Sequence, residues 1–256
     1  MTSPNVRLGS VRLTPGAPYY RDDLALVHHL GFGFHADMCA SGILRLLEPV
    51  LTREGVVLEL GCGSGLLTKY LVDAGHRVIA TDASPAMLEL ARQTAPNAED
   101  IRVLVMPDDP MPACDAVVSI GHPVSYLPDK PAVLRALTNA GDALNPDGIY
   151  AIDIEDLRWA EARKDAPPSG RVGEDWAIVL EYENPTPDRF ARKMACFLRN
   201  DDGTWRRDDE THWNTLVDTS KIPALLAEHG VDAECRTGFG DEQFPPGLVA
   251  IVGQKG

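Results

Sequence analysis

The chain has 256 residues, a formal net charge of −14, and 24% charged and 44% hydrophobic residues. These values are typical of a globular protein with one large domain or a domain carrying an insertion. The acidic balance, without a stripe of Lys and Arg, argues against a nucleic-acid groove, which needs clustered cations. The longest apolar runs, such as residues 248–252, fall far short of the roughly 20 residues that cross a bilayer.

The N-terminal quarter is predicted to be helical after a short arm. Residues 1–18 are rich in Pro and Gly and are predicted to form a loosely ordered arm. Apolar spacing then predicts helices over residues 21–30 and 36–47, separated by the aromatic, glycine-rich residues 31–34. From Gly55 short apolar strands alternate with helices, which is typical of βαβ units and a parallel sheet. The predicted strands are 56–60, 77–81, 101–105, 115–120 and 148–154, and the helices are 66–74, 84–94 and 131–144.

The alternation of short strands with helices ends at residue 154. Residues 176–182, 190–198 and 204–213 read as strands joined by turns at 184–188 and 200–203, which predicts a small antiparallel insertion. A helix over 222–229 and strands over 231–237 and 248–253 end the chain. We therefore expect four parts: an arm and helical lid (1–54), a core (55–155), an insertion that roofs the site (156–216), and a C-terminal completion of the core sheet (217–256).

Three glycines on alternate positions follow the first strand, in the segment Glu59-Leu60-Gly61-Cys62-Gly63-Ser64-Gly65. Glycine is needed where φ is positive or where main chain lies against a ligand, so this turn favours a ligand site. Asp82 lies about 20 residues further on, where doubly wound folds grip a ribose through its hydroxyls. A purely structural interpretation is that Gly65 permits helix packing and that Asp82 caps the helix beginning at Ser84.

The glycine spacing separates two ligand classes. A nicotinamide dinucleotide needs G-x-G-x-x-G, but here the third position of that pattern is Leu66, which disfavours a dinucleotide. The segment 59–65 instead resembles the first motif, E/D-x-G-x-G-x-G, of class I S-adenosylmethionine-dependent methyltransferases. The resemblance covers residues 55–155 and includes three further segments: Thr81–Leu88, Cys114–Ser119 and Ala143–Gly148.

The resemblance implies a Rossmann-like, doubly wound α/β sheet of the seven-stranded methyltransferase type, with S-adenosyl-L-methionine as cofactor. It implies that main chain at Gly61, Cys62, Gly63 and Gly65 packs on the cofactor and that Asp82 accepts both ribose hydroxyls. Ala83 and Met87 are expected near the adenine, Glu59 near the methionine ammonium, and Ser119 at the same site. Asp108 is expected to accept the adenine amino group, although Asp109 remains an alternative.

The loop after the fourth strand carries the candidate catalytic residues, His122 and Tyr126. Its Ile-Gly-His segment resembles the equivalent loop of small-molecule N-methyltransferases that act on amino sugars. His122 has the pKa range of a general base or can orient the acceptor, whereas Tyr126 is expected to be an aromatic wall. The segment 19–29 resembles the helical lid of such enzymes, which implies that Tyr20 closes over the cofactor and that His28 contacts the substrate. His212 of the insertion is expected to face the pocket; packing roles for these histidines remain open.

We therefore expect a transferase that methylates a nitrogen or oxygen of a small molecule by SN2 displacement. Two alternatives remain: a same-fold enzyme that cyclises the cofactor, and a non-catalytic sensor or structural partner that binds it. No metal is expected, since Glu210 and His212 lack further partners at ligand spacing. Five scattered cysteines without CxxC favour reduced thiols, and the N-terminus lacks an apolar signal core, so a cytoplasmic protein is expected. Neither a nucleic-acid nor a membrane partner is expected, and a homodimer through the insertion stays open.

Overall fold

The computed structural model describes residues 19–256 and begins with the N-terminal helices. The predicted arm over residues 1–18 lies outside the described residues. Helices α1 (Asp22–Gly31) and α2 (Phe34–Leu46) confirm the two predicted helices. A third, α3 (Glu48–Thr52), begins directly after α2, because Pro49 is compatible with the first turn of a new helix but not with continuing an old one. Together these helices form the described part of the lid.

The central α/β pattern follows the sequence prediction closely. Every predicted strand and helix between residues 55 and 155 is present, with ends that shift by a few residues. The elements are β1 (Val56–Leu60), α4 (Leu66–Asp73), β2 (Arg77–Asp82), α5 (Pro85–Thr94), β3 (Asp100–Val103), β4 (Cys114–Ser119), α6 (Lys130–Asp142) and β5 (Leu144–Glu155). Ser84 accepts a hydrogen bond from the backbone of Met87 and so caps α5, with Pro85 in the first turn.

The main sheet has seven strands, as expected for the methyltransferase type of doubly wound fold. The rest of the chain after the insertion supplies α8 (Ile222–Ala227), β10 (Val231–Arg236) and β11 (Leu248–Lys255). The strand order is β10-β11-β5-β4-β1-β2-β3, in which β11 runs antiparallel to both β5 and β10 and the others are parallel. The carboxyl ends of β1, β2, β4 and β5 therefore meet at one edge, where ligands of such sheets bind.

The insertion forms a separate sheet, here called the roof. After the short helix α7 (Arg158–Glu161) it contains β6 (Ser169–Val172), β7 (Trp176–Thr186), β8 (Arg189–Arg199) and β9 (Trp205–Thr215), all antiparallel. Three strands match the prediction. The first, β6, was not predicted, because this short edge strand is exposed at every position and so lacks an apolar alternation.

The roof is attached to the lid by its own small core. Leu24 and Val27 of α1 pack against Ile178, Met194 and other apolar residues of the roof. Two larger cores lie on the main sheet and its helices. The lid thus bridges the roof and the main sheet, and it closes the space above the carboxyl ends of the strands.

Within residues 19–256, three further features concern membrane-spanning helices, metal-binding groups and cysteines. No helix within residues 19–256 is both long enough and apolar enough to span a membrane. The same residues contain no group of three or more His, Cys, Asp and Glu side chains arranged to hold a metal ion. All five cysteines are free thiols, and four of them are buried.

Candidate active site

The three glycines of the turn after β1 have positive φ angles of 68°, 54° and 79°. A Cβ on Gly61 would lie 2.4 Å from the Pro123 Cβ, and one on Gly65 would lie 3.0 Å from the Ala91 Cα. A Cβ on Gly63 would meet only the Met87 sulfur, at 4.0 Å. Gly61 and Gly65 therefore allow this chain to pack on itself, whereas Gly63 leaves bare main chain facing open space.

A cavity of about 630 Å³ opens at the carboxyl ends of the strands, between the glycine turn, the lid and the roof. Most of the predicted site residues lie on its wall: Tyr20, His28, Glu59, Gly61, Cys62, Gly63, Asp82, Ala83, Met87, Asp108 and Tyr126. Four do not line it: Gly65, Ser119, His122 and His212. The cavity also extends under the roof to Tyr19, Arg189 and Trp213.

Asp82 ends β2 with its carboxylate at the cavity. Its two oxygens each accept one backbone hydrogen bond, from Gly63 N at 2.9 Å and from Ser84 N at 2.8 Å. Burial raises the pKa of Asp82, while these amides oppose that rise. A carboxylate oxygen has two lone pairs, so each retains one acceptor position, which fits the adjacent hydroxyls of a ribose.

Glu59 lies at the inner end of the cavity, only 2% exposed. The Thr68 hydroxyl donates to one of its oxygens at 2.6 Å. Burial raises the pKa of Glu59 to about 8, an effect that the Thr68 hydrogen bond opposes. A cationic ammonium group beside Glu59 would favour the ionised form, so this residue fits the amino group of a methionyl moiety.

We expect cofactor affinity to weaken as the pH falls below 8. Binding of an ammonium group requires Glu59 to be ionised, and a pKa of about 8 means that a proton must first be lost at lower pH. Affinity should therefore fall by up to about tenfold per pH unit between pH 8 and pH 6.5. Isothermal titration of S-adenosylhomocysteine across this range measures the slope. E59Q should flatten the dependence of affinity on pH, whereas E89Q, on the exposed face of α5, should leave it unchanged. The same pH dependence in E59Q as in the wild type would contradict the assignment of Glu59 to the ammonium group.

Asp108, rather than Asp109, faces the cavity. Asp109 instead accepts a hydrogen bond from Val105 N at 2.8 Å and so shapes its own loop. Ser119, at the end of β4, is fully buried and donates through Oγ to the carbonyl of Leu60 at 2.8 Å. Ser119 therefore ties β4 to β1, and like Gly65 it supports the site from behind the wall.

Tyr20 joins three walls of the cavity. Its backbone N–H donates to Glu210 of the roof at 2.8 Å, and its carbonyl accepts from the Ser84 hydroxyl at 2.8 Å. Its own hydroxyl lies 3.0 Å from that of Tyr126. Tyr20 has a φ of 56°, an uncommon conformation for an aromatic residue, so these contacts hold it in place. The side chain of Tyr20 also packs edge-on against His28.

His122 lies behind the cavity wall, contrary to the expectation that its ring projects toward the acceptor. The ring stacks on Tyr126, and its Nδ1 lies 3.4 Å from a carboxyl oxygen of the fully buried Glu155. Burial, followed by the charge of Arg192, lowers the pKa of His122 well below its usual value. The neutral ring is held by its loop, since Asp153 accepts hydrogen bonds from the backbone of Gly121 and His122.

His212 is fully buried in the roof, next to the tyrosines of the cavity. Its Nε2 lies 2.8 Å from Glu210, and its ring lies 4.5 Å from that of Tyr19 and 4.7 Å from that of Tyr20. Burial lowers the pKa of His212 despite the nearby carboxylate of Glu210. Because Nε2 donates to the Glu210 carboxylate, the neutral ring leaves Nδ1 as a buried acceptor without a partner among residues 19–256.

Several polar residues at the site were not predicted from the sequence. His35 of α2 lines the cavity and lies 2.7 Å from Asp153, a hydrogen bond that raises the pKa of His35 against the effect of burial. Arg192 of β8 donates to the hydroxyl of Tyr126. The alternation Asp153-x-Glu155 at the carboxyl end of β5 is the one sequence signal that could have indicated this cluster, since ligands bind at that edge.

The fold and the wall of the cavity define a class: an α/β protein of the doubly wound type with a ligand cavity that begins at the glycine turn and extends under the roof. The family profile described as a methyltransferase domain matches residues 57–148. An uncharacterised methyltransferase of Schizosaccharomyces pombe is 39% identical over 199 residues, covering 73% of this chain and 72% of that protein. This chain belongs to the S-adenosylmethionine-dependent methyltransferases and uses S-adenosyl-L-methionine as its cofactor.

Two further relatives are similar over different extents. The trans-aconitate 2-methyltransferase of Escherichia coli is 28% identical over 130 residues, half of each chain. The crystal structure of the sugar N-methyltransferase KedS8 from Streptoalloteichus superposes with a TM-score of 0.76 at 20% identity, covering 98% of this chain and 99% of that one. The second likeness shows that the fold is shared over nearly the whole chain, including the roof.

Proposed function

We propose that this methyltransferase acts on a small molecule, methylating a nitrogen or oxygen atom. The observation that carries the proposal is the continuous cavity, which runs from Asp82 and Gly63 to Tyr126 and Trp213 beneath the roof. Lid and roof enclose the far end, which leaves room for a compact acceptor rather than for a macromolecule. A sugar N-methyltransferase and a trans-aconitate methyltransferase among the relatives also support a small acceptor.

The lining of the cavity supports the following contacts with the cofactor. S-adenosylmethionine, when bound, supplies an electrophilic methyl group on a sulfonium. Asp82 holds the ribose hydroxyls, Ala83 and Met87 contact the adenine, and Asp108 accepts its amino group. Gly61, Cys62 and Gly63 present main chain to the methionyl moiety, with Glu59 at its ammonium. Tyr20 closes this part of the cavity from the lid.

Tyr126 and His28 form the wall next to the acceptor, and His122 and His212 lie behind it. Both of these buried imidazoles are neutral, and each has an Nδ1 atom without a hydrogen-bond partner in the described chain. Because neither ring lines the cavity and burial lowers the pKa of both, these imidazoles position Tyr126 and do not take a proton from the acceptor. An acceptor that is already a neutral amine needs mainly positioning and exclusion of water, which Tyr20 and Tyr126 provide.

Two measurements test the proposal. Isothermal titration is expected to show binding of S-adenosylhomocysteine, and a panel of small amines, alcohols and acids is expected to contain compounds that yield S-adenosylhomocysteine from S-adenosylmethionine. Methylthioadenosine formed from the cofactor alone would instead favour cyclisation. Tight cofactor binding without product from any acceptor would favour a sensor, and no binding at millimolar ligand would contradict the whole proposal.

Three related statements about the protein remain predictions. These are a cytoplasmic location, the absence of a nucleic-acid partner, and a homodimer through the roof. The division of the chain at residues 54, 155 and 216 is likewise a prediction, which limited proteolysis of the purified protein would test. None of them alters the assignment of the cavity.

A further inference from the structure

His35 and Asp153 form a pair at the wall of the cavity that has no part in the cofactor contacts described above. His35 belongs to α2 and lines the cavity, with 18% of its side chain exposed. Its Nε2 atom lies 2.7 Å from the carboxylate of Asp153, which is fully buried near the end of β5. The same carboxylate accepts hydrogen bonds from the backbone N–H groups of Gly121 and His122. Asp153 is therefore fixed in place and orients the ring of His35.

The hydrogen bond to Asp153 determines the tautomer of His35. An ionised carboxylate only accepts hydrogen bonds, so Nε2 carries the proton and the neutral ring keeps a lone pair on Nδ1. Nδ1 makes no hydrogen bond to any group within residues 19–256, since both polar contacts of the ring are made by Nε2. An imidazole that is held by a carboxylate at one nitrogen and is free at the other can accept a proton from a bound molecule.

His35 adjoins both segments that form the wall next to the acceptor. On one side, Asp153 holds the backbone of the loop after β4, and this loop carries Tyr126. On the other side, Phe32 lies three residues before His35, lines the cavity and stacks on His28 at 5.3 Å. The pair therefore belongs to the acceptor end of the cavity wall.

The charged groups around His35 favour a proton on its ring. Burial opposes a charge there, but the hydrogen bond and charge of Asp153, together with the charge of Glu242, raise the pKa of His35. Burial keeps the two other titratable neighbours neutral: it lowers the pKa of His122 and raises the pKa of the Cys39 thiol, which lies 3.6 Å from Nε2. An imidazolium at His35 would be neutralised by Asp153, so the pair suits a proton acceptor better than an anion site.

The other titratable side chains of the described wall are less suited to accept a proton. Burial lowers the pKa of His28 to about 3, which makes it a weak base. Burial raises the pKa of Tyr20, and phenols ordinarily lose their proton only at about pH 10. The carboxylates have other tasks: Glu59, Asp82 and Asp108 are assigned to the cofactor, and Asp129 caps α6.

We propose that His35, oriented by Asp153, is the general base that takes the proton of the methyl acceptor, and that this acceptor binds as an ammonium or a hydroxyl compound. The inference rests on the proposed function. An ammonium gives its proton to Nδ1 before its lone pair attacks, and a hydroxyl gives its proton as the new bond forms. The acceptor atom bonds to the methyl carbon while the carbon–sulfur bond breaks and its electron pair stays on sulfur. The proton on His35 then leaves to water.

Ethanolamine, which offers both an ammonium and a hydroxyl group, is the probe for a binding test by NMR. In ¹⁵N-labelled protein saturated with S-adenosylhomocysteine, the ring resonances of His35 are assigned by their loss in H35Q. We expect the Nε2–H tautomer and a saturable shift of Nδ1 with millimolar ethanolamine. Tetramethylammonium has no proton to donate and should leave Nδ1 in place. His229, paired with Asp142 outside the cavity, is the internal control. The opposite tautomer, no saturable shift, or equal shifts with both compounds would overturn the proposal.

The rate at saturating S-adenosylmethionine separates a base from a structural residue. With the most active acceptor of the panel, the wild-type rate should rise with pH as His35 loses its proton and then level off. Glutamine can still donate to Asp153 but cannot accept a proton, so H35Q should lower the rate about 100-fold and shift the midpoint of the rise to the pKa of the acceptor itself. H229Q should keep the wild-type rate and profile.

Two kinetic outcomes would contradict the role of His35. One is an unshifted midpoint in H35Q. The other is an affinity for S-adenosylhomocysteine that falls in H35Q as much as the rate does, which would make His35 a cofactor contact. Absence of S-adenosylhomocysteine binding, or of any active acceptor, in the wild type would instead contradict the proposed function.

Discussion

D82N is expected to lower the affinity for S-adenosylhomocysteine about 100-fold. The Asp82 carboxylate has one free lone pair on each oxygen, and hydrogen bonds to a charged acceptor contribute about 1.5–3 kcal/mol each. Asparagine has nearly the same shape but presents an N–H₂ group where one hydroxyl would donate. Loss of about 3 kcal/mol corresponds to roughly a 100-fold change in Kd.

The design must separate the ribose contact from the local fold, because Asp82 also accepts the amides of Gly63 and Ser84. Isothermal titration is therefore run with S-adenosylhomocysteine and its 2′-deoxy analogue on both proteins. If Asp82 binds the 2′-hydroxyl, the wild type prefers the parent compound and D82N loses that preference. D100N, on the neighbouring β3 and half-exposed, should bind like the wild type. An undiminished preference in D82N would place the ribose elsewhere.

E210A is expected to release the lid and destabilise the protein by about 2–4 kcal/mol. Glu210 accepts hydrogen bonds from the backbone of Tyr20 and Arg21, at 2.8 and 2.7 Å, and from His212. These hydrogen bonds lower the pKa of Glu210 although burial opposes the change. Without the carboxylate, two backbone N–H groups and a buried imidazole lose their partner at once.

The matched control is D208A, two residues earlier on the same strand. Asp208 pairs with the Arg21 side chain at 2.6 Å, but both groups are partly exposed, so its loss should cost about 0–1 kcal/mol. Urea unfolding gives the free energies, and hydrogen exchange over residues 19–31 reports opening of the lid. We expect E210A to speed exchange there and to weaken cofactor binding. Equal effects of the two substitutions would mean that Glu210 does not hold the lid.

The cofactor half of the site could be predicted because its determinants are local. Glu59, the glycines and Asp82 lie within two consecutive βα units, and the rule that ligands bind at the carboxyl ends of strands places them together. Even there the sequence could not distinguish Gly63, which faces the cavity, from Gly65, which packs on Ala91. That distinction depends on how close α5 approaches the turn, which is a property of tertiary packing.

The acceptor half could not be predicted for the same physical reason. Tyr20 and Glu210 are 190 residues apart, and His35 and Asp153 are 118 apart. Each pair forms only because the lid, the roof and the end of β5 converge. Arg192 resembles any other polar residue of an alternating strand until the packing shows which face of the roof is turned inward. His122 was placed on the correct loop, but its ring packs against Tyr126 and Glu155 and does not line the cavity.

The three contacts of Tyr20 also have a kinetic meaning. Its N–H reaches the roof, its carbonyl reaches Ser84 beside the cofactor site, and its hydroxyl reaches Tyr126. Because Tyr20 contacts all three walls, we expect the loss of its contacts to open the lid and the cofactor site together. We expect the spent cofactor and the methylated product to leave through the same opening, so that the contacts of Tyr20 influence the turnover rate.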